Sequence, residues 1–196
     1  MSLMRMIFPA VVSIVFAAPV LAQSSATEVQ RNINQQQRIE QGLQSGQLNT
    51  REAARLEREE SRVEKMEARS LRDGTQSPAE KARIDKAQNR VSRDIYREKH
   101  DAQTGNPNSD SSRRMQADVQ RNINQQQRIE QGLKSGQLTN REAGRLERGE
   151  SRINRREANA GADGHVSGAE QRRIQTAENH ESRRINRQKH DHQVNR

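Results

Sequence analysis

The chain contains no cysteine and no tryptophan, only one tyrosine and two phenylalanines, and four prolines in 196 residues. The missing cysteines exclude a disulfide framework and a thiolate nucleophile. The scarcity of aromatics removes the stacking platforms on which single-stranded nucleic acids are held. Phe8 and Phe16 both lie near the N-terminus, so Tyr96 is the sole aromatic residue of the remainder. Long apolar runs are missing beyond residue 22, and a mean hydropathy of −1.23 lies near the range of disordered chains. No Gly-x-Ser-x-Gly elbow and no phosphate loop occurs. No pair of carboxylates stands in an apolar stretch that would raise a pKa, so an enzyme is not expected.

The one apolar run that exists is at the start. Residues 1–22 place Arg5 before the run Ile7–Ala18, a break at Pro19, and Val20 and Ala22 at the −3 and −1 positions of a cleavage site. This pattern predicts a secretory signal peptide. Its apolar part falls short of the roughly 20 residues of a membrane span. The mature chain is therefore expected to begin at Gln23, to lack a membrane span, and to be periplasmic or secreted.

What the chain does have is repetition. VQRNINQQQRIEQGL at 29–43 returns unchanged at 119–133, and laying 29–101 on 119–191 without a gap gives 47 identical pairs in 73. The expected organisation is a helical repeat at 25–101, a flexible linker at 102–115 rich in Gly, Pro, Asn and Ser, a second helical repeat at 116–191, and a frayed tail at 192–196. The net charge of +9 is spread with signs interleaved. That pattern predicts a surface laced with ion pairs and argues against nucleic acid as the partner.

Within one copy the periodicity predicts three helices and no strand, giving an all-α fold of two tandem three-helix units. Ser25 with Glu28 opens the first, whose stripe of Val29, Ile33, Ile39 and Leu43 is amphipathic and whose Gln and Asn residues form a polar face. Gly46 ends it. The second, roughly 50–70, sets Ala53, Leu56 and Val63 on one face and Arg55, Glu59 and Arg62 on another that reads as solvated. Ser77-Pro78-Ala79-Glu80 starts the third, roughly 78–100, with Ile84, Ala87, Val91 and Ile95 inward. The second copy has Gly161, Glu181 and Arg156 in place of Leu71, Val91 and Met66, so it is expected to have the thinner core and to melt first.

Four loops carry a shared spacing: Gly46/Glu52, Gly74/Glu80, Gly136/Glu142 and Gly164/Glu170. With glycine at the sixth position and glutamate at the twelfth, the loops resemble degenerate EF-hands. Only 159–170 offers a further oxygen set, namely Asn159, Asp163, Ser167 and Glu170 with the His165 carbonyl. It is the candidate for weak calcium binding, and no other cofactor is implied. The same letters also serve as a C-terminal glycine followed by a capping box: Asn49/Glu52, Ser77/Glu80, Thr139/Glu142 and Ser167/Glu170. His100 and His190 close the third helix of each copy in Lys-His-Asp, where the helix dipole favours a cation. His190, Asp191 and His192 could alternatively hold a transition metal.

The motif R-I-E-Q-G-x-x-S-G-Q-L-x-x-R-E-A-x-R-L-E-R in each copy, with the leader and the lack of cysteine, resembles a group of exported proteobacterial proteins built from this helical repeat. The resemblance implies the compartment and no activity. The expected role is a non-enzymatic helical-repeat protein whose polar faces bind an unidentified protein or envelope component. A hydrophilin-like stress protectant and a weak calcium binder are the alternatives.

Overall fold

The computed structural model describes residues 18–191 as six helices, with no strand among them. These are α1 (Ala18–Ser45), α2 (Thr50–Ser70), α3 (Pro78–Glu98), α4 (Asp110–Lys134), α5 (Asn140–Ala160) and α6 (Gly168–Lys189). Most of the expected leader, the tail 192–196 and His192 with it lie outside the described residues. Among those described, no helix is long and apolar enough to cross a membrane.

The helix ends follow the local chemistry. Gly46, Gly74, Gly136 and Gly164 take φ of +76°, +90°, +73° and +88°, the left-handed conformation that side chains resist. Asn49/Glu52, Ser77/Glu80, Thr139/Glu142 and Ser167/Glu170 each complete a capping box, the side chain at the cap and the glutamate at N3 exchanging bonds with each other's backbone N–H. The first helix differs from expectation. It is already helical at Ala18, where the described residues begin, so Ser25 lies inside the helix rather than at its cap. Ser25 and Glu28 are both buried, and Glu28 accepts a bond from Gln76 at 3.0 Å instead of capping.

The two sequence copies interlock. α2 packs antiparallel on α5 and α1 packs on α4, while α3 lies over α1 and α2, and α6 over α4 and α5. Small residues at seven-residue spacing let the central pair approach: Ala54, Ser61 and Ala68 on α2, Gly144, Ser151 and Ala158 on α5. At the crossing Ser61 Oγ donates to the Ser151 carbonyl at 2.7 Å and Ser151 Oγ returns a bond to the Ser61 carbonyl at 2.8 Å. Arg51 donates to the Asp163 carbonyl at 2.8 Å and Arg141 to the Asp73 carbonyl at 2.9 Å. Ser61 and Ser151 are equivalent positions of the two copies and the two arginine bonds are equivalent to each other, so an approximate two-fold axis passes between Ser61 and Ser151.

Two expectations are corrected by this packing. The linker 102–115 is not a free tether. Residues 110–115 are the first turn and more of α4, Met115 is fully buried, and Gly105 N–H donates to the Gly46 carbonyl at 2.8 Å. Nor is the second copy's core the thinner one. It lacks Leu71 and Val91 but gains buried Met115 and Val166, where the first copy has Ser25 and Gln76. A Cβ on Gly161 would sit 2.7 Å from Met115 Cε and 2.8 Å from Ala54 Cβ, and one on Gly144 would sit 2.8 Å from Leu71 Cβ. Losses in one copy are filled from the other, which a copy-by-copy comparison cannot reveal.

Candidate functional site

α2 and α5 sort their charges by face, with Glu59 the one acid between. The exposed positions of α2 are Arg51, Arg55, Arg58, Arg62, Lys65 and Arg69, and those of α5 are six arginines (141, 145, 148, 152, 155 and 156) and Asn159. The acids point the other way. Glu52, Glu57, Glu60, Glu64 and Glu67 of α2 and Glu142, Glu147, Glu150 and Glu157 of α5 are at most 2% exposed. Only Glu59 is intermediate. The cause is geometric: a helix wedged among neighbours on most of its circumference shows only a narrow strip to water, here two or three positions per heptad. Arginine and lysine occupy that strip in every turn. The face expected to be solvated keeps Arg55 and Arg62 exposed and Glu59 half-buried, while the other glutamates of α2 are turned inside.

The inward carboxyls are served by the Gln- and Asn-rich stretch that the two copies share. Asn32 donates to Glu67 at 2.9 Å, Gln36 to Glu57 at 2.9 Å, Asn122 to Glu157 at 2.8 Å, and Gln126 to both Glu64 and Glu147 at 3.1 and 3.2 Å. Asn154, which replaces a glutamate of the first copy, adds a bond to Glu64 at 2.9 Å. The expected solvated polar face of α1 and α4 is therefore, over these residues, an interior supply of amide donors. A buried acid must be hydrogen-bonded or neutral to be tolerated. Burial accordingly pushes Glu57 up to about 7 and Glu147 up to about 8. It holds Glu60, Glu64, Glu67, Glu150 and Glu157 well above the ordinary carboxylate range, with neighbouring glutamates adding to the effect in each. In the second copy burial and then the nearby Glu178 raise Asp118 to about 8. The expectation of no carboxylate pair in apolar surroundings is overturned, and these groups are buried away from solvent.

Acids turned inside, most of them with raised pKa values, and cations turned outside leave a surface more basic than the formal +9. Its focus is a groove of about 590 Å³ along the α2–α5 seam, floored by Ser61 and Ser151. Seven cations line it, Arg58, Arg62, Lys65 and Arg69 from one helix and Arg148, Arg152 and Arg155 from the other. Arg58 donates to the Ala158 carbonyl at 3.3 Å, and among the described residues none of the seven is in an ion pair within 4.0 Å.

The proposed calcium loop is laid out differently. Glu170 accepts from Ser167 N at 2.9 Å and Ser167 Oγ at 2.6 Å, and Asp163 accepts from His165 N at 2.8 Å, so both acids are engaged in capping and turn formation. Asn159 faces the arginine groove. His100 and His190 bond through Nδ1 to the carbonyls of Tyr96 and Asn186, both at 2.7 Å, and His165 bonds Ser111 Oγ at 2.9 Å. One acidic group does converge: Glu52, Glu98 and Asp101 bring carboxylate oxygens within 4.8 Å of one another. No family model, no curated protein and no solved structure matches the chain.

Proposed function

We propose that the chain is a non-enzymatic binding protein that holds phosphate-bearing anions of the cell envelope on its α2–α5 face. The observation that carries this reading is the row of seven cations along one groove with their sequence-adjacent glutamates turned inside. Arginine suits such a partner because its planar fork meets phosphate oxygens two at a time. The groove has no aromatic side chain to stack a base and no apolar floor, so it fits repeated anionic groups rather than a specific small molecule. An exported protein, as the leader predicts, meets such anions as phosphorylated polymers and as lipid headgroups. The calcium reading of the 159–170 loop is the weaker alternative, because Asn159 lies in the arginine groove, away from the capping pair Ser167 and Glu170. The stress-protectant alternative gains no support from a chain whose helices share a packed core.

The test is titration of the full mature chain with linear inorganic polyphosphate and, in parallel, with vesicles bearing phosphoglycerol headgroups. Binding to either that weakens steeply with salt is expected, because unpaired surface cations are screened within about 10 Å at 0.1 M salt. Arg62→Glu with Arg152→Glu should abolish it. Retained binding in that double variant would refute the proposal.

A further inference from the structure

A second site stands apart from the basic face, at the end of the molecule where α3 returns to the turn between α1 and α2. Glu52 is the N3 residue of α2, Glu98 ends α3, and Asp101 lies three residues on, in Lys-His-Asp. One carboxylate oxygen of each lies within 4.8 Å of the other two. Glu52 uses Oε2 to accept from Asn49 N at 2.9 Å. Its Oε1 is shut away from solvent, on a residue with no exposed surface, and has no hydrogen-bond partner. The Glu98 side chain is 12% exposed and one of its oxygens is in ion pairs with Arg55 at 3.7 Å and Arg97 at 3.9 Å, while among the described residues neither Glu52 nor Asp101 is in an ion pair within 4.0 Å. Asp101 accepts from Gln103 N at 2.8 Å.

The second copy supplies an internal comparison. Its equivalents are Glu142, Gln188 and Asp191, and there Gln188 Nε2 donates to Asp191 Oδ2 at 3.3 Å. Where the position is glutamine, an amide satisfies the aspartate. Where it is glutamate, three carboxyl groups face one another and a buried oxygen lacks a donor. Like charges this close exclude one another unless a proton or a cation intervenes.

We infer that Glu52, Glu98 and Asp101 bind one hard divalent cation of the calcium or manganese class. All three donors are carboxylate oxygens, the ligands such ions prefer, and softer metals would want the nitrogen or sulfur that is not there. Three protein carboxylates leave much of the coordination to water, so the dissociation constant should lie at the weak, extracellular end, roughly 0.1–1 mM. Glu52 then has two functions: one oxygen starts α2 and the other holds the ion.

Titration of the full chain with manganese, read by loss of the free-ion electron paramagnetic resonance signal and repeated in competition with calcium, tests this. One equivalent is expected. Glu98→Gln and Asp101→Asn should each weaken binding about tenfold or more, since ligand charge sets affinity in such sites, and should leave the circular dichroism spectrum unchanged. Gln188→Glu should raise the stoichiometry from one to two. Glu170→Gln, in the loop with the EF-hand-like spacing, should change nothing. No binding at millimolar metal, unchanged affinity in a folded Glu98→Gln variant, or loss in Glu170→Gln alone would overturn the assignment.

Discussion

Raising the pH from 5 to 8 should destabilise this protein, the reverse of what paired surface carboxylates produce. In the unfolded chain a glutamate titrates near 4.5, whereas in the folded protein burial lifts Glu57 and Glu178 to about 7 and Glu147 and Asp118 to about 8. Between those values the folded state binds more protons than the unfolded one, so stability falls as pH rises. The stabilisation is complete below pH 4.5, is lost progressively through the folded values of 7 to 8, and is level above them. Each retained proton contributes a slope of about 1.4 kcal/mol per pH unit. A net difference of a single proton between pH 5 and 7 thus amounts to about 3 kcal/mol, or roughly 10 °C in melting temperature for a domain of this size. Further buried acids steepen the slope. Exposed arginines keep their charge throughout the window and contribute no slope. Thermal melts by circular dichroism at pH 5, 6, 7 and 8, at fixed ionic strength, measure this directly. Glu150→Gln removes a titrating group whose two oxygens have no partner and should be more stable than the parent at pH 8 while matching it at pH 5. A melting temperature that is flat or rises between pH 5 and 8 would refute the neutral-acid interior.

Three further outcomes follow from the packing. Gly149→Ala should leave stability within about 1 kcal/mol of the parent, because the Glu181 carboxyl, 2.2 Å from the new Cβ, is the end of a flexible side chain that can swing aside, and leaving Arg184 offsets the helix gain of about 1 kcal/mol; urea unfolding measures it. Gly161→Leu, which copies the first repeat into the second, should cost roughly 1–3 kcal/mol by overpacking against Met115, and Met115→Ser in the same chain should recover part of it. Residues 23–105 and 106–196 prepared separately should each fail to melt cooperatively, since each exposes half of the α2–α5 and α1–α4 seams; the intact chain should show one transition, and two would contradict the interlocked core.

Local rules carried the secondary structure. Left-handed glycines and capping boxes act within a few residues of themselves, so four loops and the helices they bound were legible from the letters, and so was the apolar stripe Val29, Ile33, Ile39 and Leu43. What the letters concealed depends on how many neighbours a helix has. Glu57, Glu60, Glu64 and Glu67 at spacings of three and four, with arginines between them, look like a solvated ion-pair lattice when the helix is imagined with one free side. With α1, α3 and α5 all packed on α2 that side is gone, and the same spacing becomes an interior row. One clue was present: the identical stretch 29–43 keeps Asn32, Gln35 and Gln36, amide donors of the kind that buried carboxyls need. The helical stretch before Ser25 was not legible because Ser25 and Glu28 satisfy a cap pattern that burial puts to another use. Glu52, Glu98 and Asp101 were not joined as a site because 46 residues separate Glu52 from Glu98, and only the return of α3 brings them together.

The central claim is that anions bind where α2 and α5 turn their arginines outward, and arginine footprinting locates that face most directly. The full chain is treated with a guanidinium-selective dicarbonyl reagent with and without linear polyphosphate, and modified sites are mapped by mass spectrometry. Arg58, Arg62, Arg148 and Arg152 should be protected first, while Arg83 and Arg90 on α3, exposed but away from the seam, should react as before. Protection spread evenly over all exposed arginines, or concentrated on α3, would contradict the account.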